Sequence, residues 1–340
     1  MQNLVKAHTE MFRRTPDECF PSIASLFEHC HQEKEGSETK WYPPSEVGAV
    51  SHEGTLALRS NGDIRHLSDW SFGQLCRLAE VSKDTANRLS PETVSRVFAE
   101  TLPQDGKPYQ VFAHDNAVRS LHGVTYTRLY NADLLSTAFE WATDFQPPQS
   151  GIGGGTGLYC GEQDMFCFLI DPTGWVEIDD QAFAPGFFIW NSEVGRRSVG
   201  VQTFWFQKVC QNHIVWDAVE VVEFTRKHTA NVHSAHDEIR RILGNITSKR
   251  DERRDGFVQV IRKAMRERIG MEDEEALKFL AQHDINRSLA QAALKIACRE
   301  GRFTIFSLVD ALTQLSQRSE FAGDRTQADM RASRLLSLAA

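Results

Sequence analysis

No stretch of the chain approaches about eighteen consecutive apolar residues, so no segment is expected to span a membrane. The opening MQNLVKAHTEMFRRTPDE lacks an apolar h-region, which argues against a secretory signal. Cysteines are few and odd in number, seven in all, at positions 19, 30, 76, 160, 167, 210 and 298. Scattered thiols without an export signal fit reduced cysteines in a cytoplasm rather than a disulfide framework. Basic charge is not in excess: the net charge of −8 gives no overall attraction to nucleic acid or to an anionic membrane. Binding of that kind has to come from a local patch. No internal repeat and no low-complexity tract is present.

What the chain does have is an aromatic centre. Residues 185–216, PGFFIWNSEVGRRSVGVQTFWFQKVCQNHIVW, hold three of the seven tryptophans and one polar corner, NSEVGRRS. Aromatic and β-branched runs on either side of a glycine-containing corner spell a hairpin. Arg196 and Arg197 are expected at its exposed tip, with Phe188 and Phe206 buried. Upstream, LYCG, MFCFLI and WVEI read as further strands, so 157–206 is expected to form one antiparallel sheet.

The N-terminal 50 residues are polar and rich in turn signals. His29-Cys30-His31 suggests a metal, but adjacent residues cannot easily point at one ion, and a plain helix end is the favoured reading. Asn61-Gly62 between short apolar runs predicts a hairpin over 55–67. Two helices follow: one carries the stripe Phe72, Leu75, Cys76 and Ala79, the other begins at Ser90-Pro91-Glu92. Asn131 is expected to cap a helix over 132–142. GIGGGTG at 151–157 resembles a phosphate loop, but no Gly-Lys-Ser/Thr and no helix follows it, so a hinge is the favoured reading. Beyond Asp217 the pattern is almost wholly helical. Stripes at Ile239–Ile246 and Phe257–Met265 lead to helices over Asp273–Gln282, Arg287–Arg299 and 304–317, then a polar tail with one or two more helical turns.

Two constellations could carry chemistry. From Arg226 to Arg268 twelve Lys/Arg face six Asp/Glu, a local charge of +6 that leaves −14 elsewhere. Lys249, Arg250, Arg253 and Arg254 fall within two helical turns, and with Arg196 and Arg197 they are the candidate phosphate contacts. Aromatics such as Trp190, Trp205 or Tyr159 could stack on bases if exposed. A solvated arginine face over an aromatic core is the alternative. The second constellation is Cys210-x-x-His213 with His233-x-x-His236, a zinc-compatible donor set. A buried Cys210 and a polar histidine face compete with that reading, and no serine–histidine or paired-carboxylate signature stands beside it.

The order of these segments resembles a phage- and plasmid-associated family catalogued as domain of unknown function 932. The resemblance rests on LSDWSFGQLCRLAEVSKDTANRLSPE, VRSLHGVTYTRLYNADLL, NSEVGRRSVGVQTFWFQKVCQNHIVW and FTIFSLVDALTQ, and spans about 65 to 320. Val-Cys-x-Asn at 209–212 is its most specific element, while Arg197-Ser198-Val199 departs from the plainer small-residue strand expected there. The resemblance implies a protein of mobile elements acting near their DNA and supplies no catalytic residues.

The expected fold is α+β: a central antiparallel sheet with an N-terminal helical region and a helical C-terminal region. The expected division is an α+β region over 1–150, a meander over 151–216 and helices over 217–340, in one or two domains. The expected function is that of a cytoplasmic, non-enzymatic nucleic-acid-binding accessory protein, with single-stranded DNA binding or annealing as one form of it. No cofactor and no membrane partner is expected, and self-association is compatible with the sequence. A metal-dependent enzyme using the Cys/His cluster and an assembly subunit are the alternatives.

Overall fold

A computed structural model describes residues 10–148, 157–207, 213–216, 223–248, 250–270, 272–299 and 303–339. The side chains of Trp141, Arg299, 213–216, 223, 247–248 and 250–253 are not among the groups described. The glycine run at 151–156 lies outside the described residues, as do Cys210 and Lys249.

In chain order β1 (Glu18–Cys19) leads to α1 (Ile23–Glu35). Four strands follow, β2 (Ser37–Tyr42), β3 (Val47–His52), β4 (Thr55–Ser60) and β5 (Asp63–Leu67), and then α2 (Asp69–Leu78), α3 (Lys83–Ala86) and α4 (Pro91–Thr101). β6 (Tyr109–His114), β7 (Ala117–His122) and α5 (Asn131–Trp141) precede β8 (Leu158–Cys160), β9 (Met165–Ile170), β10 (Val176–Ile178), β11 (Gln181–Asn191) and β12 (Val199–Gln207). After β13 (His213–Trp216) and β14 (Glu223–Arg226) come α6 (Ala235–Ser248), α7 (Arg250–Arg266), α8 (Asp273–Gln282), α9 (Arg287–Arg299), α10 (Ile305–Ser316) and α11 (Ala322–Ser333).

The fold is α+β, built on two sheets. The central one runs β1-β8-β9-β11-β12-β13, with β10 also on β11 and β14 also on β12, all antiparallel. Alternation along β11 sends Phe187 and Ile189 to one face and Phe188 and Trp190 to the other. The first face packs on α1, α5 and α6 through Leu26, Leu134, Leu135, Ile239 and Leu243. The second meets α11, where Ala322 and Met330 lie against Phe166, Phe168, Phe188 and Phe204. Glycine is required within this sheet: a Cβ on Gly200 would sit 2.1 Å from the ring of its cross-strand partner Trp190.

The second sheet, β2-β6-β7-β5-β4-β3, lies in the N-terminal region, for which the sequence predicted helices and short β segments but not a sheet of its own. It is antiparallel except for the β5–β7 pair. Leu56, Leu58, Val111 and Val118 on one face bury against Phe72, Leu75, Val94 and Phe98 of α2 and α4. The predicted hairpin is present, its Asn61-Gly62 turn carrying positive φ at both residues, 47° and 91°, as a type I′ turn requires. Within the polar N-terminal stretch, residues 18–52 hold β1, α1, β2 and β3, and His29-Cys30-His31 sits within α1, not at its end.

The C-terminal helices α7 to α10 enclose a core of their own, which reaches the central sheet through Ile178, Phe183 and Trp205. Trp205 stacks on Phe257 of α7 at 4.0 Å and 7°. Two corrections apply beyond Asp217. Strand β14 pairs with Val199–Gln202 of β12 before the helices begin. The expected polar tail is a packed helix followed by a 3-10 segment, Arg334–Ala339, with Leu335 and Leu336 in the core.

Candidate nucleic-acid interface

The corner between β11 and β12 holds several buried polar groups, each met by hydrogen-bond donors from elsewhere in the chain. Ser192, Glu193 and Val194 are at most 3% exposed, so the corner is a buried junction and not an exposed tip. Its polar groups turn inward because partners from the second sheet and its helices meet them. The Trp70 indole N–H donates to the Val194 carbonyl at 2.7 Å. The Tyr126 hydroxyl donates to the Glu193 carbonyl at 2.8 Å, and the Arg128 guanidinium donates to the same oxygen. The Glu193 carboxylate accepts the Asn131 backbone N–H at 2.7 Å and lies 3.8 Å from Arg119. Burial raises the Glu193 pKa, an effect opposed by Arg119, the Asn131 N–H and Arg128. Asn131 therefore does not act as the expected cap: the helix begins at Asn131, and the capping oxygen comes from Glu193. The Asn131 side chain instead accepts from Asn191 Nδ2 at 2.9 Å.

Arginines at the corner divide into two kinds. Arg197 is drawn in, 3.2 Å from the buried Asp164 and over the Phe166 ring, and Gly323 of α11 leaves room for its guanidinium. Arg14 joins the same carboxylate at 3.5 Å. Arg197 is therefore not at an exposed tip; the carboxylate of Asp164 holds it. Arg196 is exposed, its guanidinium 5.5 Å from the Trp70 ring, and Arg77 of α2 approaches the same ring at 5.1 Å. Trp70 is half-buried, which leaves an aromatic flanked by two cations at the surface.

A second basic surface lies on α7. Its stripe Phe257, Val260, Ile261 and Ala264 is buried, and the opposite face exposes Arg262, Lys263 and Arg266. Arg262 and Arg266 make no ion pair among the described residues. Arg254, at the start of this helix, pairs with Asp255 at 3.3 Å. Lys249 and the side chains of Arg250 and Arg253 lie outside the described residues. Arg196 and α7 do not form one patch. α7 meets the sheet at Phe183, seven residues along β11 from Trp190, or roughly 23 Å at the strand rise.

The Cys/His constellation is brought together only in part. His233 is exposed, and His236 Nδ1 lies 2.6 Å from Thr137 Oγ1 of α5. Burial, reinforced by Arg240, lowers the His236 pKa. Cys210 and the His213 side chain lie outside the described residues. Among the described residues, no group of three or more His, Cys, Asp or Glu is arranged to hold a metal. Of the aromatics considered for stacking, Trp205 is fully buried, Trp190 and Tyr159 are nearly so, and the half-exposed ring is Trp70. The sequence offers one hint of that role: Trp70 follows a helix cap, where it interrupts an otherwise polar first turn.

No protein-family model matches the chain, and no curated protein or solved structure matches it. No described helix is long and apolar enough to cross a membrane.

Proposed function

We propose that the chain is a sequence-tolerant nucleic-acid-binding accessory protein of a phage, plasmid or integrated element. It is non-enzymatic, works in the cytoplasm and has single-stranded DNA as its preferred partner. The carrying observation is the solvent face of α7, where Arg262, Lys263 and Arg266 stand together on a helix anchored by its buried stripe. Lysine and arginine on a rigid helix suit phosphate contact, because each neutralised phosphate releases condensed counterions. Arg196 and Arg77 about Trp70 add a second, separate cationic site with an aromatic ring, the combination that single-strand binders use. The resemblance to the phage- and plasmid-associated family supports the same partner.

Fluorescence anisotropy with a labelled single-stranded oligonucleotide tests the reading. Wild type is expected to bind at low salt, and Arg262→Gln/Lys263→Gln/Arg266→Gln to bind several-fold more weakly with an unchanged melting curve. Failure of the wild type to bind at low salt overturns the reading and favours an assembly subunit.

A further inference from the structure

The two edges of the second sheet are treated differently by the rest of the fold. At one end β3 is covered by α4, with the Ser95 hydroxyl donating to the Ala49 carbonyl at 2.8 Å and the Ser51 hydroxyl to the Glu92 carboxylate at 2.9 Å. At the other end β2 pairs with β6 on one side only. On its outer side the backbone of Ser37–Tyr42 meets no hydrogen-bond partner among the described residues. Thr39, Lys40 and Trp41 are exposed in succession. Of the large apolar side chains described, Trp41 is the most exposed, at 47%. A bare edge of this kind is a template for another strand. Lys40 would oppose pairing with an arbitrary strand, but Glu38, on the same face two residues earlier, supplies its counter-charge at 2.8 Å. The same carboxylate also meets Arg65 of β5.

The sequence Glu38-Thr39-Lys40 is complementary to itself in an antiparallel pair. With Thr39 of one copy opposite Thr39 of another, each Glu38 falls opposite a Lys40 and each Trp41 opposite a Ser37. Moving the register two residues either way sets Lys40 against Lys40 or Glu38 against Glu38, so the charges select one alignment. We propose that the outer edge of β2 is a homodimer contact, in which two copies pair β2 to β2 about a two-fold axis at Thr39 and join their six-stranded sheets into one. The contact is isologous, so each β2 covers the other and no edge is left there to recruit a third copy. The Lys40–Glu38 pair within each chain opens and re-forms between the chains, while Arg65 stays on Glu38. Trp41 loses solvent against the Ser37 side of the other copy. A six-residue strand pair is a small interface, so dissociation is expected at about 10 µM rather than in the nanomolar range.

Sedimentation velocity of the full chain, free of nucleic acid, over roughly 1 to 200 µM tests the contact. Wild type is expected to pass reversibly from monomer to dimer. Lys40→Glu alone and Glu38→Lys alone each set like charges opposite one another, and each is expected to dissociate about tenfold more readily. An equimolar mixture of the two variants restores both attractive pairs and is expected to dimerise as wild type does. Thr39→Cys, treated with a short bismaleimide and mapped by mass spectrometry, is expected to give a peptide cross-linked through the two substituted positions. Mapping separates that product from links through the exposed Cys19 or Cys298. A dimer that both charge variants leave unchanged overturns the proposal. So does a wild type that stays monomeric at the highest concentration, a result that leaves the edge to an extended strand of a different protein and that decides the matter even if a variant fails to fold.

Discussion

The carboxylate of Glu193 caps a helix that begins 62 residues earlier, accepting the Asn131 N–H at 2.7 Å. A turn at the end of the longest hairpin therefore fixes the start of α5, and through Arg119 and Arg128 it ties the central sheet to the second one. Polar groups buried this deeply contribute only when each has its partner.

Glu193→Ala is accordingly expected to destabilise the fold severely. Loss of the cap leaves the buried Asn131 N–H without its acceptor, a cost of about 1–3 kcal/mol, while Arg128 keeps the Glu193 carbonyl and Arg119 keeps Glu33. Chemical denaturation checks this. Glu193→Gln keeps an acceptor for Asn131 and is expected to lose less. Equal loss for both variants would mean that the cap contributes nothing.

Stability is also expected to fall on mild acidification. His122 and His228 stack on either side of Tyr126, at 3.5 Å and 5.4 Å. Burial, with Arg128 nearby, depresses the His122 pKa to about 3, and burial depresses that of His228 to about 4. Between those values and the unfolded pKa of about 6.5 the unfolded chain binds more protons. Their contribution is thus whole above pH ~6.5 and is lost as pH falls through the folded values. Urea midpoints from pH 8 to pH 4 should decline, with a smaller decline in His122→Phe. A flat profile would contradict the burial of these rings in the neutral form.

Asp329 pulls the other way. It is fully buried against Ser316, and burial raises its pKa to about 7. The folded chain holds the extra proton between about 3.8 and 7, so this group stabilises at low pH and the benefit fades as pH rises through 7. Asp329→Asn should remove that loss, giving a higher melting temperature than wild type at pH 8 and little difference at pH 4. Differential scanning at the two values separates the outcomes, and a variant less stable at pH 8 would contradict the assignment.

Features written in local sequence were legible, and those assembled from distant partners were not. Asn61-Gly62 announced its hairpin, the aromatic alternation of 185–206 announced β11 and β12, and Thr304 caps α10 through its own side chain. Strands of the second sheet were legible at 55–67, but their assembly into one sheet was not, because SETKWY of β2 is mostly polar and β5 pairs in parallel with β7 across three helices. Asn131 misled for the same reason: its neighbourhood looks like a cap, while the capping oxygen arrives from Glu193. The helix AGDRTQADMRAS reads as polar although Asp329 and Thr326 are buried. For the candidate interface, the excess charge of 226–268 was visible from composition. The division of Arg196 from Arg197 depended on Asp164, 33 residues from Arg197 and met only in the fold.

The central claim, binding through the α7 face, is tested most directly by the salt dependence of oligonucleotide affinity. Wild type and Arg262→Gln/Lys263→Gln/Arg266→Gln are titrated with salt on a labelled single strand, alongside Arg77→Gln/Arg196→Gln. The account predicts that the slope of log affinity against log salt falls by about 0.7 for each lost phosphate contact in the α7 variant, and that this holds across unrelated sequences. Identical slopes for wild type and the α7 variant would contradict it.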